Sequence, residues 1–296
     1  MGGWTIGIVG GSGLYALEAL EDAQWLAVET PWGPPSDALL VGRLHGHRFV
    51  FLPRHGRGHR VPPSQVNYRA NIDALKRAGC TDLLAVSAVG SLREELPPGR
   101  FVTVDQFVDR TTRRESSFFG PGFVAHVSMA EPVCPRLSAL AADAAEAAGA
   151  AVSRGGSYLA MEGPQFSTRA ESRLYRAWGC DVIGMTGLPE AKLARESELP
   201  YALLGMVTDY DSWRAGEAPV EASDILARLH ANAGTARAAV EALAKALPPE
   251  RPPSPIDTAL DNAIVTAPEA RDPATLARLD AVCRRLLQPA QGKGAS

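Results

Sequence analysis

Four apolar runs in this chain stop abruptly in loops of glycine, small or charged residues, and that pattern narrows the fold more than any other feature. Thr5–Val9 (TIGIV) runs into Gly10-Gly11-Ser12-Gly13, and Arg48–Pro53 into Arg54-His55-Gly56-Arg57-Gly58-His59. Thr81–Val86 runs into Ser87-Ala88-Val89-Gly90-Ser91, and Tyr201–Thr208 into Asp209-Tyr210-Asp211. Short apolar runs bounded by such residues read as buried strands, with further strand candidates at Ala38–Leu44, Phe101–Val108 and Asp181–Met185. Helical patterns lie between them at Ser64–Gly79 (opened by a capping serine), Arg136–Gly149, Arg169–Trp178, Glu190–Ser197 and an Ala-rich stretch near Val220–Ala246. Alternating strands and helices predict an α/β sandwich with helices on both faces of a sheet. Loops at the carboxyl ends of such strands are where open α/β sheets collect ligands.

The Pro-rich stretch Leu247–Pro255 (LPPERPPSP) is a hinge without regular structure. It divides the chain into one domain, residues 1–246, and an extension, residues 247–296, with a helical pattern at Pro273–Leu287. That extension is expected to pack on the body or on a neighbouring subunit. Lys and Arg number 30 against 33 Asp and Glu, for a net charge of -3, so no global basic field invites nucleic acid. No apolar run reaches the roughly 18 residues of a membrane span. The N-terminus carries no basic region before its apolar stretch, which argues against a secretory leader and for a cytoplasmic protein. Cys80, Cys134, Cys180 and Cys283 are too scattered for a disulfide framework or a CxxC metal site.

Each loop proposes chemistry beside a blander reading. Glycines after the first strand let backbone N–H groups approach an anion, and Ser12 adds a hydroxyl. The same segment fits a dinucleotide pattern, Gly11-x-Gly13-x-x-Ala16 with Glu29 downstream, or simply a tight turn. Arg54 offers a planar fork of donors suited to phosphate, and His55 can donate beside it; the alternative is a solvated basic loop. Ser87–Ser91 is a loop of small residues that leaves room for a ligand against the backbone. Glu162–Arg169 (EGPQFSTR) is a turn leading into a helix, with an aromatic, hydroxyls and a carboxylate that could hold a base and a sugar. Asp209 and Asp211 alternate, so both point to one side while the chain is extended. Paired carboxylates raise one pKa and favour a proton donor near neutral pH, unless either Asp only caps a turn.

Ten segments together resemble the 5'-methylthioadenosine phosphorylase branch of the trimeric purine nucleoside phosphorylase family. They are GGSGLY, TPWGPPSD, PRHGRGH, PSQVNYRANI, SAVGSLRE, QFVDRTT, MAEPVCP, EGPQFSTRAES, GMTGLPEA and TDYDSW, in the family's order from about residue 5 to residue 245. The resemblance implies a single-domain nucleoside phosphorylase fold, a mixed and partly barrel-like central sheet flanked by helices, assembled as a homotrimer with shared sites. It implies that phosphate displaces adenine from C1' of a 5'-modified nucleoside, with inorganic phosphate as co-substrate and neither metal nor organic cofactor. Carried over by motif, Ser12, Arg54, His55, Ser87, the Ala88 backbone and Thr186 would hold phosphate, and Met185 would lie beneath the ribose. Phe166 and Ser167 would border the purine, a protonated Asp209 would donate toward N7, and Asp211 would accept from the exocyclic amine. Ala222, Ile225 and Leu226 would surround the 5' substituent, with His126 reaching in from an adjacent subunit.

The Asp pair implies an adenine preference, because a 6-oxo group would meet Asp211 with the wrong polarity; Gly187 also occurs in 6-oxo-preferring relatives. An apolar 5' pocket favours methylthio over hydroxyl, since burying an unpaired hydroxyl costs about 1–3 kcal/mol. The alternatives are a phosphorylase acting on 5'-halo-5'-deoxyadenosine or on methylthioinosine, a nicotinamide-dependent oxidoreductase built on Gly11–Ala16, and a nucleoside-binding module without turnover.

Overall fold

The computed structural model describes residues 3–11, 14, 17–214 and 222–287, without the side chains of residues 222, 224–226, 229 and 230. The strands are β1 (Thr5–Gly10), β2 (Glu21–Leu26), β3 (Leu39–Leu44), β4 (His47–Pro53), β5 (Asp82–Ser91), β6 (Phe101–Thr103), β7 (Gln106–Asp109), β8 (Val152–Arg154), β9 (Ser157–Ala160), β10 (Val182–Gly184) and β11 (Tyr201–Asp209). The helices are α1 (Tyr68–Arg77), α2 (Pro135–Ala147), α3 (Arg169–Ala177), α4 (Gly187–Glu196), α5 (Ala222–Ala246), α6 (Pro273–Arg278) and α7 (Arg284–Leu287).

One mixed sheet carries all eleven strands, with β5 as its branch point. On one edge β5 runs parallel to β1 through Asp82–Ala85, then pairs antiparallel with β10 at Gly90 and Ser91. Its other edge runs parallel to β11. Two arms follow, β11–β6–β8 and β10–β9–β7, and the short links 103–106 and 154–157 join them covalently. No ladder pairs β6 with β7, so the sheet curls without closing.

The strand residues alternate between two apolar layers, which is why the runs read as continuously hydrophobic. Val9, Val50, Leu83, Leu203 and Val207 pack with α1 and α4, through Ile72, Leu75, Ala191 and Ala194. Ile8, Phe49, Phe51, Leu84, Val86 and Leu204 face α2 and α5, through Leu137, Ala141, Val240 and Leu243. Leu260, Leu279, Val282 and Cys283 of the C-terminal segment join the first layer. Glu198 holds that segment to the body, accepting from Leu260 N–H at 3.0 Å and from Arg285 Nε at 2.9 Å.

Several expectations are corrected. Ser64 lies in a 3₁₀ turn and does not cap α1; Asn67 caps it, accepting from Ala70 N–H. Ser87–Ser91 is strand, paired with β11 on one edge and with β10 on the other. Phe101–Val108 is two strands, each serving a different arm. The final helical pattern breaks into α6 and α7 around a turn whose Ala281, Val282 and Cys283 are buried.

Candidate active site

A cavity of about 590 Å³ opens where β1, β4, β5, β10 and β11 end. Its walls include Gly11, Leu14, Arg54, His55, Ser87, Ala88, Phe166, Met185, Thr186, Asp209 and Asp211. Nine residues expected from the sequence thus meet in one cavity. β5 runs beneath it as a ruler: from Ser87 to Gly90 the strand advances roughly 10 Å, which separates a cationic end from an acidic end.

At the cationic end the chain leaves β4 and Arg54 turns inward, its N–H donating to Gly10 O at 2.9 Å. Arg54 is only 1% exposed, so the solvated-loop reading does not hold. Its Nε and Nη2 meet the two oxygens of Glu190 at 2.8 and 3.0 Å, and Nη2 also donates to Val9 O at 3.2 Å. Tyr201 OH donates to the same carboxylate at 2.9 Å. Burial alone would lower the Arg54 pKa, but the Glu190 carboxylate outweighs it and keeps the guanidinium charged. Only Nη1, which lies 3.5 Å from Val86 O, remains to face an anion. Beside it, Ser87 Oγ lies 3.3 Å from Thr186 Oγ1 at the start of α4. The Tyr158 hydroxyl accepts from the Thr186 and Gly187 N–H groups and fixes that turn.

His55 differs from expectation. Burial, then the Arg54 charge, lower its pKa to about 4, so the ring is neutral at pH 7. Nδ1 lies 2.9 Å from Val61 O, which can only accept, so Nδ1 carries the proton and Nε2 is left as an acceptor. The ring stacks on His59 at 4.3 Å.

At the acidic end β11 bulges between Val207 and Asp209, and such bulges re-aim side chains. Asp211 lies in a turn at φ 50°, so the two carboxylates do not share a face by strand alternation. Asp209 Oδ1 instead accepts from Asp211 N–H at 2.7 Å. Thr208 Oγ1 lies 2.7 Å from Asp209 Oδ2 and 3.3 Å from Val89 O, and its single proton cannot serve both acceptors. A proton on Asp209 Oδ2 satisfies both, donated to Thr208 while Thr208 donates to Val89. Burial pushes Asp209 above the usual carboxylate range, against the hydrogen bonds from Thr208 and the Asp211 N–H. Burial raises Asp211 as well, against the nearby Ser172 and Ser167 hydroxyls. Asp211 Oδ2 is buried and has no hydrogen-bond partner among the described residues. Gly90 makes room here: a Cβ would stand 3.0 Å from Asp209 Oδ1.

Between the ends, Met185 and Met161 line the wall with Phe166, which is 37% exposed. Ser167 is buried behind it, its hydroxyl 3.8 Å from Met161 Sδ. His126 lies outside this chain's cavity, exposed on a segment paired with residues near Ile264. Ser12 lies outside the described residues, as do the side chains of Ala222, Ile225 and Leu226; Ala233, further along α5, lines the cavity. Sequence reading missed Glu190, Tyr201, Tyr158 and Arg114, whose partners lie from 11 to 136 residues away in the chain. A glutamate inside the apolar GLPEA stretch was the only signal for the first. Among the described residues, no group of three or more His, Cys, Asp or Glu is arranged to hold a metal ion. No described helix is long and apolar enough to cross a membrane.

Residues 5–247 match the phosphorylase superfamily. The chain is 60% identical, over 96% of its length and 98% of the relative's, to the S-methyl-5'-thioadenosine phosphorylase of Cereibacter sphaeroides. Its fold superimposes with a TM-score of 0.90 on a methylthioadenosine phosphorylase from an antarctic soil metagenomic library, at 46% identity, covering 95% of this chain and 99% of that one. A methylthioadenosine phosphorylase from Schistosoma mansoni in complex with adenine matches with a TM-score of 0.78 at 39% identity, covering 82% and 91%.

Proposed function

The chain belongs to the phosphorylase superfamily, and from that premise we propose that it cleaves 5'-methylthioadenosine with phosphate to adenine and 5-methylthioribose 1-phosphate. One observation carries the reading. A buried arginine fork with two hydroxyls stands at one end of β5, and at the other a buried Asp209 whose carboxyl is pushed above the usual range stands beside an Asp211 oxygen with no partner among the described residues.

The residues divide the work as follows. Arg54 Nη1, Ser87, the Ala88 backbone and Thr186 hold phosphate, with Ser12 completing the set. Neutral His55 accepts from the P–OH of monohydrogen phosphate through Nε2. Met185 supports the sugar, and Phe166 and Ser167 border the purine. As the C1'–N9 bond breaks, its electron pair passes to the purine, N7 takes the Asp209 proton, and a phosphate oxygen bonds C1'. Asp211 Oδ2 accepts from the 6-amino group; a 6-oxo group would leave that buried oxygen unpaired, costing about 1–3 kcal/mol. Positioning and fixed charges supply the acceleration, with no metal or organic cofactor assigned a step. These roles also engage the Arg54 loop, the Glu162 loop and the Asp pair, which hydride transfer leaves idle.

The same proposal includes an apolar 5' pocket at Ala222, Ile225 and Leu226, a homotrimer in which His126 serves a neighbouring site, and a cytoplasmic location. It also treats residues 1–246 as the catalytic domain and 247–296 as an extension, whose described part packs on that domain. The test is Asp209→Asn assayed on 5'-methylthioadenosine and methylthioinosine. Adenine release is expected to fall by two orders of magnitude or more while the 6-oxo nucleoside gains relative preference; retained adenine turnover removes Asp209 as the proton donor.

A further inference from the structure

Arg114 stands behind the cavity with a side chain only 1% exposed. Its Nη1, with two hydrogens, lies within reach of three acceptors, Met185 O at 2.5 Å, Leu188 O at 2.8 Å and Tyr68 OH at 3.1 Å, the two carbonyls being the nearer. Nη2 donates to Glu162 O at 2.7 Å and Met161 O at 3.3 Å, and Nε to Glu162 Oε1 at 3.1 Å. Glu162 answers by accepting from the Thr112 and Arg113 N–H groups at 2.6 and 3.1 Å. Tyr68 OH in turn donates to Pro63 O at 3.0 Å.

These bonds join three cavity walls that come from distant parts of the chain: Pro63, Met161 with the loop that follows it, and Met185. Without the guanidinium, the carbonyls of Met185, Leu188, Met161 and Glu162 would lose their donor together. Lysine cannot substitute, since an ammonium offers three donors from one point whereas the guanidinium offers five in a plane. The cationic end has further supports of its own, Glu190 and Tyr201 for Arg54 and Tyr158 for Thr186, in addition to the carbonyls on either side of Thr186 that Arg114 holds.

Resting on the functional reading above, we infer that Arg114 is a positioning residue that sets the nucleoside half of the site more than the phosphate half, by holding the carbonyls behind Met185 and Met161. It touches no reacting atom. The test uses Arg114→Lys and Arg114→Ala, with adenine and phosphate binding measured by calorimetry and KM and kcat measured for each substrate. Both variants are expected to weaken adenine binding and raise the nucleoside KM at least tenfold, while the phosphate KM changes less than twofold. Added guanidinium ion should restore several-fold activity to Arg114→Ala and none to wild type. If Arg114→Ala does not fold, the Arg114→Lys split decides alone. A parallel rise in both KM values, or a drop in Tm with unchanged kinetics, overturns the inference. A wild-type protein that neither binds adenine nor releases it with phosphate overturns the functional reading instead, and the inference with it.

Discussion

Glu190→Gln probes the cationic end most sharply, because the substitution keeps shape and removes charge. Arg54 and Glu190 are each 1% exposed, and the carboxylate serves Arg54 Nε, Arg54 Nη2 and Tyr201 OH at once. Glutamine keeps one acceptor for these three donors and turns an N–H₂ group toward the guanidinium. What remains near Arg54 is Val9 O at 3.2 Å and Val86 O at 3.5 Å, neither of which balances a charge. Breaking a buried pair this way costs about 3–5 kcal/mol, or roughly 6–15 °C in Tm at about 2–3 °C per kcal/mol for a chain of this size. Phosphate then becomes the missing counter-charge. The variant's Tm should therefore climb more steeply with phosphate concentration than the wild-type Tm does, through ordinary binding linkage. The assay is thermal unfolding of both proteins across a phosphate series at constant ionic strength. A Tm loss under 2 °C, or equal phosphate slopes, would refute the idea that Glu190 holds Arg54 ready for an anion.

Two further outcomes follow from other parts of the molecule. Burial pushes the Glu196 carboxyl up to about 7, against hydrogen bonds from Phe118 N–H and Ser117. Because the folded state keeps this proton longer than the unfolded chain, its contribution to stability is full below about pH 4.5 and lost as pH rises to about 7, on the order of 3 kcal/mol. Glu196→Gln should flatten that part of the stability profile in urea titrations from pH 5 to 8, and an unchanged profile would contradict the assignment. Gly163 has φ 66°, and a Cβ there would stand 2.5 Å from Met185 Sδ. Gly163→Ala should cost about 1–2 kcal/mol for the left-handed backbone and raise the nucleoside KM; kinetics identical to wild type would show that Met185 has slack.

What the sequence disclosed, and what it hid, follows from chain distance. Arg54, Ser87 and Asp209 stand where apolar runs end, and the run itself marks the spot, while Phe166 was marked by the turn that leads into a helix. Glu190 pairs with Arg54 across 136 residues, and no local pattern records such a partner. Arg114 makes all its site contacts outside its own segment, so no local pattern singled it out. β2 (EDAQWL) is exposed throughout and has no core-facing side to show. The Ser87–Ser91 strand was hidden for another reason: its residues are small where a cavity lies above it, so it read as a loop. The relation between Asp209 and Asp211 escaped because a bulge and a left-handed turn, neither visible in residue spacing, replace the extended geometry.

The measurement that bears most directly on the central claim is the stoichiometry of the reaction on 5'-methylthioadenosine, with adenine and sugar phosphate quantified together with and without phosphate. The account predicts one pentose 1-phosphate for each adenine and no adenine release when phosphate is left out. Adenine released at the same rate without phosphate, alongside free sugar, would contradict it.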